Sequence, residues 1–422
     1  MKRMLSLTLA LGMLATSVPA LAQGSAQQRP TEVTFWSWYM SPKFDTYMKS
    51  TIAAFEKQNP GIKIRWFDKQ DSMAQDFVAA VNLGNAPCVV NMNIDETSKA
   101  AQNGYLRPLE PLVGKATLAQ YYPNTVRNFS VDGKVYGLPW YGWLNQGVLI
   151  VNPDLTRQAG LTRVPRNFGE LMAFSKTIKD KTGAYGWVPA YKDPNTASFL
   201  GTFYQEGLSV TGKDGRANFN SPAHAKLLQQ YADYYRSGFS PQDAIRREAF
   251  QIATELFTQG KLAYIIGGPQ ALTRIKENNP ALYGKVQVAA APLGAANVET
   301  GGGMDLVIPT SCKTPAQAAR FAAFLTNNAN QIAFAKTVPI VPTTRAAKNN
   351  PLFKTTSNDP VAKATALTGA NGDRITPGYA VPKNSDELYK NFNDNIEAAV
   401  LGRKSPQQAL NDAVTFWNAN AK

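Results

Sequence analysis

Hydrophobic positions follow two different periods in the N-terminal quarter of the sequence. Two short segments alternate polar and apolar residues, and a third is a nearly continuous apolar run. Alternation and short apolar runs are both typical of β-strands. Between and after them, apolar residues recur every three to four positions, which indicates amphipathic helices. The predicted strands span residues 32–38, 62–67 and 88–93, and the predicted helices span 42–58, 71–83 and 95–103. This β-α-β-α-β-α order predicts a parallel, doubly wound sheet in an α/β fold.

The rest of the chain continues to alternate strand and helix patterns. Helices are predicted at 168–178, 198–207, 227–235, 249–260, 314–325, 388–400 and 409–417, and strands at 185–191, 261–266, 285–292 and 301–309. Tyr231, Tyr234 and Tyr235 recur at helical spacing, so we interpret them as core residues. Because a chain of 422 residues is too long for one typical domain, two α/β lobes are predicted.

Polar and aromatic residues gather where the first three predicted strands end. They are Trp36, Trp38 and Tyr39 after the first strand, Lys69, Gln70 and Asp71 after the second, and Asn93, Asp95 and Glu96 after the third. Parallel α/β sheets bind their ligands at this edge. Carboxylates and amides hydrogen-bond hydroxyl groups, and aromatic rings stack on apolar faces. The alternative for Asp71 and Asp95 is that each caps the helix that follows it.

A second concentration of aromatic residues lies at 133–143, where glycine and proline punctuate the sequence. Trp140, Tyr141 and Trp143 stand within four positions, and Asn145 follows them. A turn at Asp132-Gly133 leads to a predicted short strand, and the glycine and proline signals then predict a loop that carries the aromatic residues. Rings in such a loop are suited to stacking on a sugar or a base. The alternative is that they plug the loop into the core.

The N-terminus has the pattern of an export signal. Lys2 and Arg3 precede an apolar stretch at 5–18, and residues 20–22 (ALA) form a small-x-small cleavage site. The stretch is too short to span a membrane, and no later segment reaches the about 18 apolar residues that spanning requires. Residues 1–22 are therefore predicted to be a signal peptide, and the mature protein is predicted to be exported and soluble. Composition agrees with a globular protein, at 44% hydrophobic and 18% charged residues.

The chain is basic, with a formal net charge of +14. Removing Lys2 and Arg3 with the leader leaves 42 basic and 30 acidic residues, a net charge of +12. This charge could favour an anionic ligand, a surface polymer or a membrane, or it could be solvated surface charge. Basic residues are scattered and no nucleic-acid motif occurs, so nucleic acid is not predicted as a partner. One histidine, His224, and two distant cysteines argue against a metal site or a Ser-His-Asp triad.

Several segments together resemble the extracellular solute-binding proteins of ABC importers, in the sugar-binding cluster that includes maltose-binding proteins. They are residues 134–141 (KVYGLPWY), 148–155 (VLIVNPDL), 54–64 (AFEKQNPGIKI), 84–93 (GNAPCVVNMN) and 260–269 (GKLAYIIGGP). The chain departs from the family pattern at Val151, where tyrosine is usual, at Cys88, where aspartate is usual, and at Gln270, where tryptophan is usual.

The resemblance implies a periplasmic binding protein type II fold, in which two doubly wound lobes flank a ligand cleft and are joined by hinge crossings. The implied N-terminal lobe is 23–143 with 303–350, and the C-terminal lobe is 144–302 with 351–422. Crossings fall near 143, at Gly301-Gly302-Gly303 and at 339–342. The glycines supply the backbone freedom that a hinge needs.

The resemblance also implies the function, which is capture of a sugar by lobe closure and delivery to an ABC permease in the inner membrane. The protein is then a monomer without cofactor or metal and not an enzyme. Trp36, Trp38, Trp140 and Trp143 are expected to stack, and Lys69, Asp95, Glu96, Asn145 and Asp305 to hydrogen-bond. The other expected ligand residues are Tyr39, Gln70, Asp71, Asn93, Trp187, Tyr191, Gly268, Gln270, Gly303 and Met304. Gln270 in place of a stacking ring favours a mono- or disaccharide over a maltodextrin.

In this fold, the strand returning at 305–308 commonly runs antiparallel beside the third strand. Cys88 begins the third strand and Cys312 lies just beyond the returning one. An exported protein meets conditions in which disulfides persist. The resemblance therefore predicts a Cys88–Cys312 disulfide.

Three other functions stay open. The positive charge suggests a phosphorylated or acidic solute such as glycerol 3-phosphate, although the candidate set contains no arginine. Two carboxylates among Asp95, Glu96 and Asp305 would serve a glycoside hydrolase. A secreted lectin or adhesin would bind weakly, without lobe closure.

Overall fold

A computed structural model describes residues 29–70, 72–192, 196–354, 356–376, 378–379, 381–382 and 384–421. The predicted signal peptide and Asp71 lie outside the described residues. The described strands are β1 (Thr31–Trp38), β2 (Ile62–Lys69), β3 (Val89–Asn93), β4 (Ser130–Val131), β5 (Lys134–Val135), β6 (Gly137–Leu144), β7 (Val148–Val151), β8 (Tyr264–Gly267), β9 (Gln287–Ala290), β10 (Gly301–Val307) and β11 (Val341–Pro342).

Helices cover both sheets. The described α-helices are α1 (Asp45–Gln58), α2 (Met73–Asn82), α3 (Ile94–Gln102), α4 (Glu110–Leu118), α5 (Pro123–Asn128), α6 (Pro153–Gln158), α7 (Phe168–Thr182), α8 (Ser198–Gln205), α9 (Pro222–Arg236), α10 (Ala249–Thr258), α11 (Gln270–Asn278), α12 (Pro280–Tyr283), α13 (Pro315–Leu325), α14 (Asn328–Thr337), α15 (Pro360–Gly369), α16 (Ser385–Val400) and α17 (Pro406–Asn420). None of them, within the part of the chain described, is long and apolar enough to cross a membrane.

The larger sheet belongs to the first lobe and has the strand order β11-β6-β10-β3-β1-β2. Strand β1 pairs in parallel with β2 and β3, which is the doubly wound arrangement that the sequence pattern predicts. The alternation in β1 buries Val33, Phe35 and Ser37 on one face. Helix α1 buries Tyr47, Met48, Thr51 and Phe55, which is one helical face. In both elements, the apolar residues that repeat in the sequence are therefore mostly the residues buried in the structure.

The smaller sheet belongs to the second lobe and has the order β8-β7-β9, with antiparallel neighbours. Two large apolar cores accompany the two sheets. One core gathers residues from 33 to 140 and from 306 to 353. The other gathers residues from 148 to 288 and from the C-terminal helices α16 and α17. The chain therefore passes between the lobes more than once, and the passages near 144–147 and 299–301 lie side by side.

The predicted disulfide between Cys88 and Cys312 is confirmed, with 224 residues separating the two cysteines. Strand β10 runs antiparallel to β3, with Val307 opposite Val90. The end of β10 therefore lies beside the start of β3, which brings the two cysteines together. The disulfide lies at the end of β3 opposite to Asn93.

The short strand predicted after Asp132-Gly133 is present as β5, whereas the loop predicted for the aromatic residues that follow is largely a strand. After a β4–β5 hairpin, β6 runs from Gly137 to Leu144 and pairs with β10 on one side and β11 on the other. The turn signals misled the prediction because a strand-interior proline is unusual. Pro139 lies where the register between β6 and β10 shifts, which accommodates the missing N–H.

Another predicted strand is absent from the described structure. Residues 185–191 form only an isolated bridge, between Tyr185 and Leu262. Helix α1 begins at Asp45, after a turn at residues 41–44, rather than at Pro42. The predicted second crossing at Gly301-Gly302-Gly303 is the start of β10, where all three glycines pair with β6.

Candidate functional site

A cavity of about 510 Å³ lies between the two lobes. Its lining from the first lobe and the crossings includes Asn93, Ile94, Asp95, Trp143, Leu144, Asn145, Gln146, Thr300, Gly301, Gly302 and Gly303. Its lining from the second lobe includes Phe168, Trp187, Ser198, Thr202, Gln205, Tyr231, Glu248, Phe250, Gly268 and Gln270, and Tyr379 completes it. The volume lies within the range of small-molecule sites, about 300 to 1,000 Å³.

Asp95 reaches the cavity because its neighbour Asn93 caps helix α3. The side-chain oxygen of Asn93 accepts a hydrogen bond from the backbone N–H of Glu96 at 2.8 Å. The capping role expected for Asp95 thus belongs to Asn93, and the Asp95 carboxylate stays in the first turn of the helix. Burial raises the pKa of Asp95 to about 6, although Lys99 opposes this shift and Glu96 and Asp386 add to it. The cavity therefore presents a partly desolvated carboxylate.

Trp143 forms an aromatic surface at the first crossing, and 38% of its side chain is exposed. Gly302 lies directly opposite it in the β6–β10 register. A Cβ on Gly302 would overlap the indole ring. The glycine is therefore needed for the close approach of the ring, whereas the sequence suggested a need for backbone freedom.

Thr300 is the centre of a buried polar network between the crossings. Its Oγ1 accepts hydrogen bonds from Asn145 Nδ2 at 2.9 Å and from Gln205 Nε2 at 3.1 Å. Its backbone N–H donates to Gln146 Oε1 at 2.9 Å, and its carbonyl accepts from the Asn145 N–H at 2.8 Å. Asn145, Gln146, Gln205 and Thr300 all line the cavity. One hydroxyl group thus orients two amide side chains toward the site.

Replacing Thr300 by valine is expected to lower the free energy of unfolding by about 2 kcal/mol, because two amide donors lose their acceptor in a buried site. Thr300→Ser is the matched control, since it keeps the hydroxyl group, and its loss should stay below about 1 kcal/mol. Urea unfolding measures both variants. A loss in Thr300→Val no larger than the loss in Thr300→Ser would contradict a dominant role for the hydrogen bonds at this crossing.

The second-lobe wall combines one face of helix α8 with aromatic rings. Ser198, Gly201, Thr202 and Gln205 are spaced as one helical face, and all four line the cavity. The Trp187 ring packs against Phe168, with ring centroids 5.9 Å apart. This wall offers hydroxyl, amide and aromatic groups together.

Two further polar groups of this wall, Glu248 and Gln270, lie at helix starts. The Glu248 carboxylate caps α10 by accepting from the N–H groups of Phe250 and Gln251. The Gln270 amide begins α11 and lies over Gly268, where a Cβ would overlap it. The Glu248 carboxylate is therefore held in place at the cavity by its own hydrogen bonds, and the absence of a side chain on Gly268 leaves room for the Gln270 amide.

The structure brings eight of the sequence-predicted residues to the cavity. They are Asn93, Asp95, Trp143, Asn145, Trp187, Gly268, Gln270 and Gly303. Whether they contact a ligand remains a prediction.

Four other predicted residues are buried in the interior, which corrects the expectation that they line the cleft. Trp140 stacks on Phe334 in the first-lobe core. For this ring the alternative interpretation, burial in the core, is therefore correct. Tyr191 lies in the second-lobe core and its hydroxyl group donates to the carbonyl of Tyr231. Met304 is 7% exposed and Asp305 is fully buried. Trp140 lies in β6, and Met304 and Asp305 lie in β10, where the direction of each side chain buries it.

Asp305 is held by groups of the first lobe instead of facing a ligand. The Thr97 hydroxyl group donates to its carboxylate, with oxygen–oxygen distances of 2.9 and 3.0 Å. Burial raises its pKa well above the usual value, and the bond from Thr97 opposes this shift.

A further group of predicted residues lies at the sheet edge, outside the cavity lining. It comprises Trp36, Trp38, Tyr39, Lys69, Gln70 and Glu96. The rings of Trp36 and Trp38 pack on the sheet face that α2 and α3 cover. Lys69 Nζ stands 4.2 Å from the Trp36 ring centroid and pairs with Asp76. Glu96 pairs with Lys99. These contacts orient the side chains away from the cavity.

Sequence reasoning missed the α8 face, Gln146, Phe250, Thr300 and Tyr379. The α8 face carried a usable signal, since its small and polar residues recur at helical spacing in an otherwise apolar helix. Thr300 carried none, because its role depends on contacts with distant segments.

No group of three or more His, Cys, Asp or Glu residues able to hold a metal ion occurs in the described part of the chain. His224 is a structural residue. Its ring nitrogens bond the Ser221 hydroxyl group and the Ser209 carbonyl, and burial lowers its pKa.

Two α/β lobes, repeated crossings and a cavity between them define a binding protein of the periplasmic type II class. Residues 50–367 match the family of bacterial extracellular solute-binding proteins, and the chain belongs to this family.

Characterised relatives match the chain over most of its length. The maltodextrin-binding protein MdxE of Bacillus subtilis is 25% identical over 394 residues, covering 90% of this chain and 88% of MdxE. The sn-glycerol-3-phosphate-binding periplasmic protein UgpB of Shigella flexneri is 24% identical, covering 94% and 95%. A putative oligosaccharide periplasmic-binding protein from a Synechococcus species is 27% identical, with a TM-score of 0.81 and coverage of 92% and 98%.

Proposed function

We propose that this protein is the exported sugar-binding component of an ABC importer and that it captures a neutral mono- or disaccharide between its lobes. The observation that carries the proposal is the chemistry of the cavity. Among the described lining residues, aromatic rings, amides and hydroxyl groups surround the carboxylates of Asp95 and Glu248, and none is Lys, Arg or His.

This lining matches what a sugar offers to a protein. Trp143, Trp187 and Tyr379 can stack on C–H faces, while carboxylates and amides accept bonds from hydroxyl groups. Closure of the lobes would add contacts from both walls at once, so that the ligand stabilises the closed form. The similarity to MdxE and to an oligosaccharide-binding protein supports a sugar as the ligand class.

The same proposal covers the domains, the location and the partners. The lobes are 23–143 with 303–350 and 144–302 with 351–422. The distribution of the two apolar cores supports this division in outline, although Phe353 packs in the first-lobe core. The signal peptide directs export, the monomer docks on an ABC permease, and the protein catalyses no reaction. Of the carboxylates considered for a hydrolase, Asp305 is fully buried in the first lobe, Glu96 is paired with Lys99, and only Asp95 lines the described cavity.

A phosphorylated or acidic solute is the second candidate because the chain is similar to UgpB. The net charge of +14 agrees with this reading. The described cavity lining opposes it, because it presents two carboxylates, which repel an anion, and no Lys, Arg or His.

A thermal-shift screen of the mature protein tests the proposal, with neutral sugars, polyols, sugar phosphates and uronates in the panel. A ligand at a thousandfold excess over its Kd stabilises the folded protein by about 4 kcal/mol. A shift of several degrees is expected for at least one neutral sugar. Shifts confined to phosphates or uronates would replace the proposal by the second candidate. A panel without any shift, on protein shown by mass spectrometry to be free of co-purified ligand, would refute both.

A further inference from the structure

An ion pair joins the two lobes next to the cavity. Lys99 Nζ, on helix α3 of the first lobe, lies 2.7 Å from Asp386 Oδ1 at the start of helix α16 of the second lobe. The same ammonium group lies 3.2 Å from Glu96 Oε1. The Lys99 side chain is only 20% exposed, so α3 and its neighbours already shield it from solvent.

Two further contacts accompany this ion pair. Gln102, also on α3, donates from Nε2 to the carbonyl of Val381 at 3.3 Å. The Val381 side chain packs with Ile94 and Phe129 of the first lobe in a small apolar cluster. Helix α16 is anchored in the second-lobe core by Leu388, Tyr389 and Phe392, among others. These contacts therefore connect bodies with separate cores.

The position of the contacts ties them to the cavity. Asp95, which lines the cavity, precedes Lys99 by four residues on the same helix, so the two side chains share a helix face. Tyr379, which also lines the cavity, lies just before Val381 in the chain. The contacts therefore stand about one helical turn from the cavity wall, where the two lobes meet.

We propose that Lys99, Gln102, Val381 and Asp386 form an interlobe latch that exists only when the lobes are closed, and that the latch shifts the ligand-free protein toward the closed form. Opening the cavity separates α3 from α16 and breaks the ion pair. Asp386 then returns to water while Lys99 keeps Glu96 as its partner. The latch thus favours closure before any ligand binds, which raises the fraction of molecules that retain a captured solute.

The exposure of the Lys99–Asp386 ion pair to solvent determines how strongly its removal should change the ratio of open to closed molecules. Asp386 is 83% exposed, so the pair is partly screened by solvent. Removing it is expected to raise the ratio of open to closed molecules by about two- to fivefold. Raising the salt concentration should act in the same direction on the wild type, since the charges are screened over about 10 Å at 0.1 M salt.

Small-angle X-ray scattering of the ligand-free protein tests the proposal, with the open-to-closed ratio obtained from the scattering profile. Asp386→Asn and Lys99→Met should each enlarge the radius of gyration, and the double variant should match the single variants because both remove one interaction. Lys390→Met is the matched control. It removes a 2.7 Å pair with Asp394 within helix α16 and should leave the profile unchanged.

The salt series provides an independent readout. The wild type should expand as salt rises, whereas Asp386→Asn should already be expanded and change less. Profiles that coincide for the wild type, Asp386→Asn and Lys99→Met at low salt would overturn the proposal, as would an equal expansion in Lys390→Met. Because the measurement contains no sugar, its failure is distinct from a failure of the proposed ligand class.

Discussion

Gly137→Ala is expected to lower the free energy of unfolding by about 3 kcal/mol or more. Gly137 faces the fully buried side chain of Asp305, and an added Cβ would overlap the carboxylate group. The carboxylate is fully buried, and displacing it breaks the bonds that it accepts from Thr97. Substitutions that overpack a buried polar group and break its hydrogen bonds belong to the most destabilising class. Urea unfolding monitored by tryptophan fluorescence measures the loss.

Two controls isolate the cause of this loss. Gly61→Ala places a methyl group in open space within the same lobe and should change stability by less than about 0.5 kcal/mol. In an Asp305→Ala background the clash is absent, so Gly137→Ala should add little to the cost of that background. An equal cost of Gly137→Ala in the presence and absence of Asp305 would refute the clash as its cause.

Removal of the disulfide is the second change with a large expected effect. Replacing Cys88 and Cys312 by alanine should lower the free energy of unfolding by about 3 to 5 kcal/mol in the chain-entropy account, because the bond closes a loop of more than 200 residues. The bond lies at the end of β3 remote from Asn93, so sugar affinity of the folded protein should stay within about twofold of the wild type.

Equilibrium unfolding with and without reductant provides the matched comparison. Reductant should lower the unfolding midpoint of the wild type and leave that of the double variant unchanged. A double variant that is as stable as the oxidised wild type would contradict a stabilising role for the bond.

The elements of the first lobe could be predicted because their information is local. The alternation in β1 and the helical spacing in α1 are burial patterns that neighbouring residues determine. The loop predicted at 133–143 failed for the same reason. Gly137 and Pro139 weaken a strand locally, whereas pairing of β6 with β10 and β11 on both sides overrides that preference.

The residues of the candidate site were predicted only in part. Whether a residue lines the cavity depends on the direction in which its side chain points as well as on its position in the chain. Trp140 and Trp143 lie three positions apart in one strand, yet Trp140 enters the core and Trp143 faces the cavity, since alternate strand residues face opposite sides. Trp36 and Trp38 lie at the end of β1, as predicted, but their side chains point to the sheet face that α2 and α3 cover. The role of Thr300 depends on contacts between the two crossings and helix α8. These segments are distant in sequence, so no local pattern predicts the contacts.

The three consecutive glycines of the second crossing stand out in the sequence. The structure gives a physical reason for glycine there that the sequence did not suggest. Gly301, Gly302 and Gly303 suggested a flexible hinge. In the structure they are paired strand residues, and Gly302 leaves room for the Trp143 ring. Backbone freedom and close approach both select glycine, and only the neighbour across the strand distinguishes them.

Titration calorimetry with the neutral sugar found in the screen tests most directly whether the interlobe cavity is the binding site. The comparison uses the wild type, Gly302→Val and the open-space control Gly61→Ala. We predict one site per chain, with an affinity at least about 30-fold weaker in Gly302→Val, because loss of a central aromatic contact removes about 2 kcal/mol or more. The control should bind like the wild type. Unchanged affinity in folded Gly302→Val would contradict the account and place the sugar elsewhere.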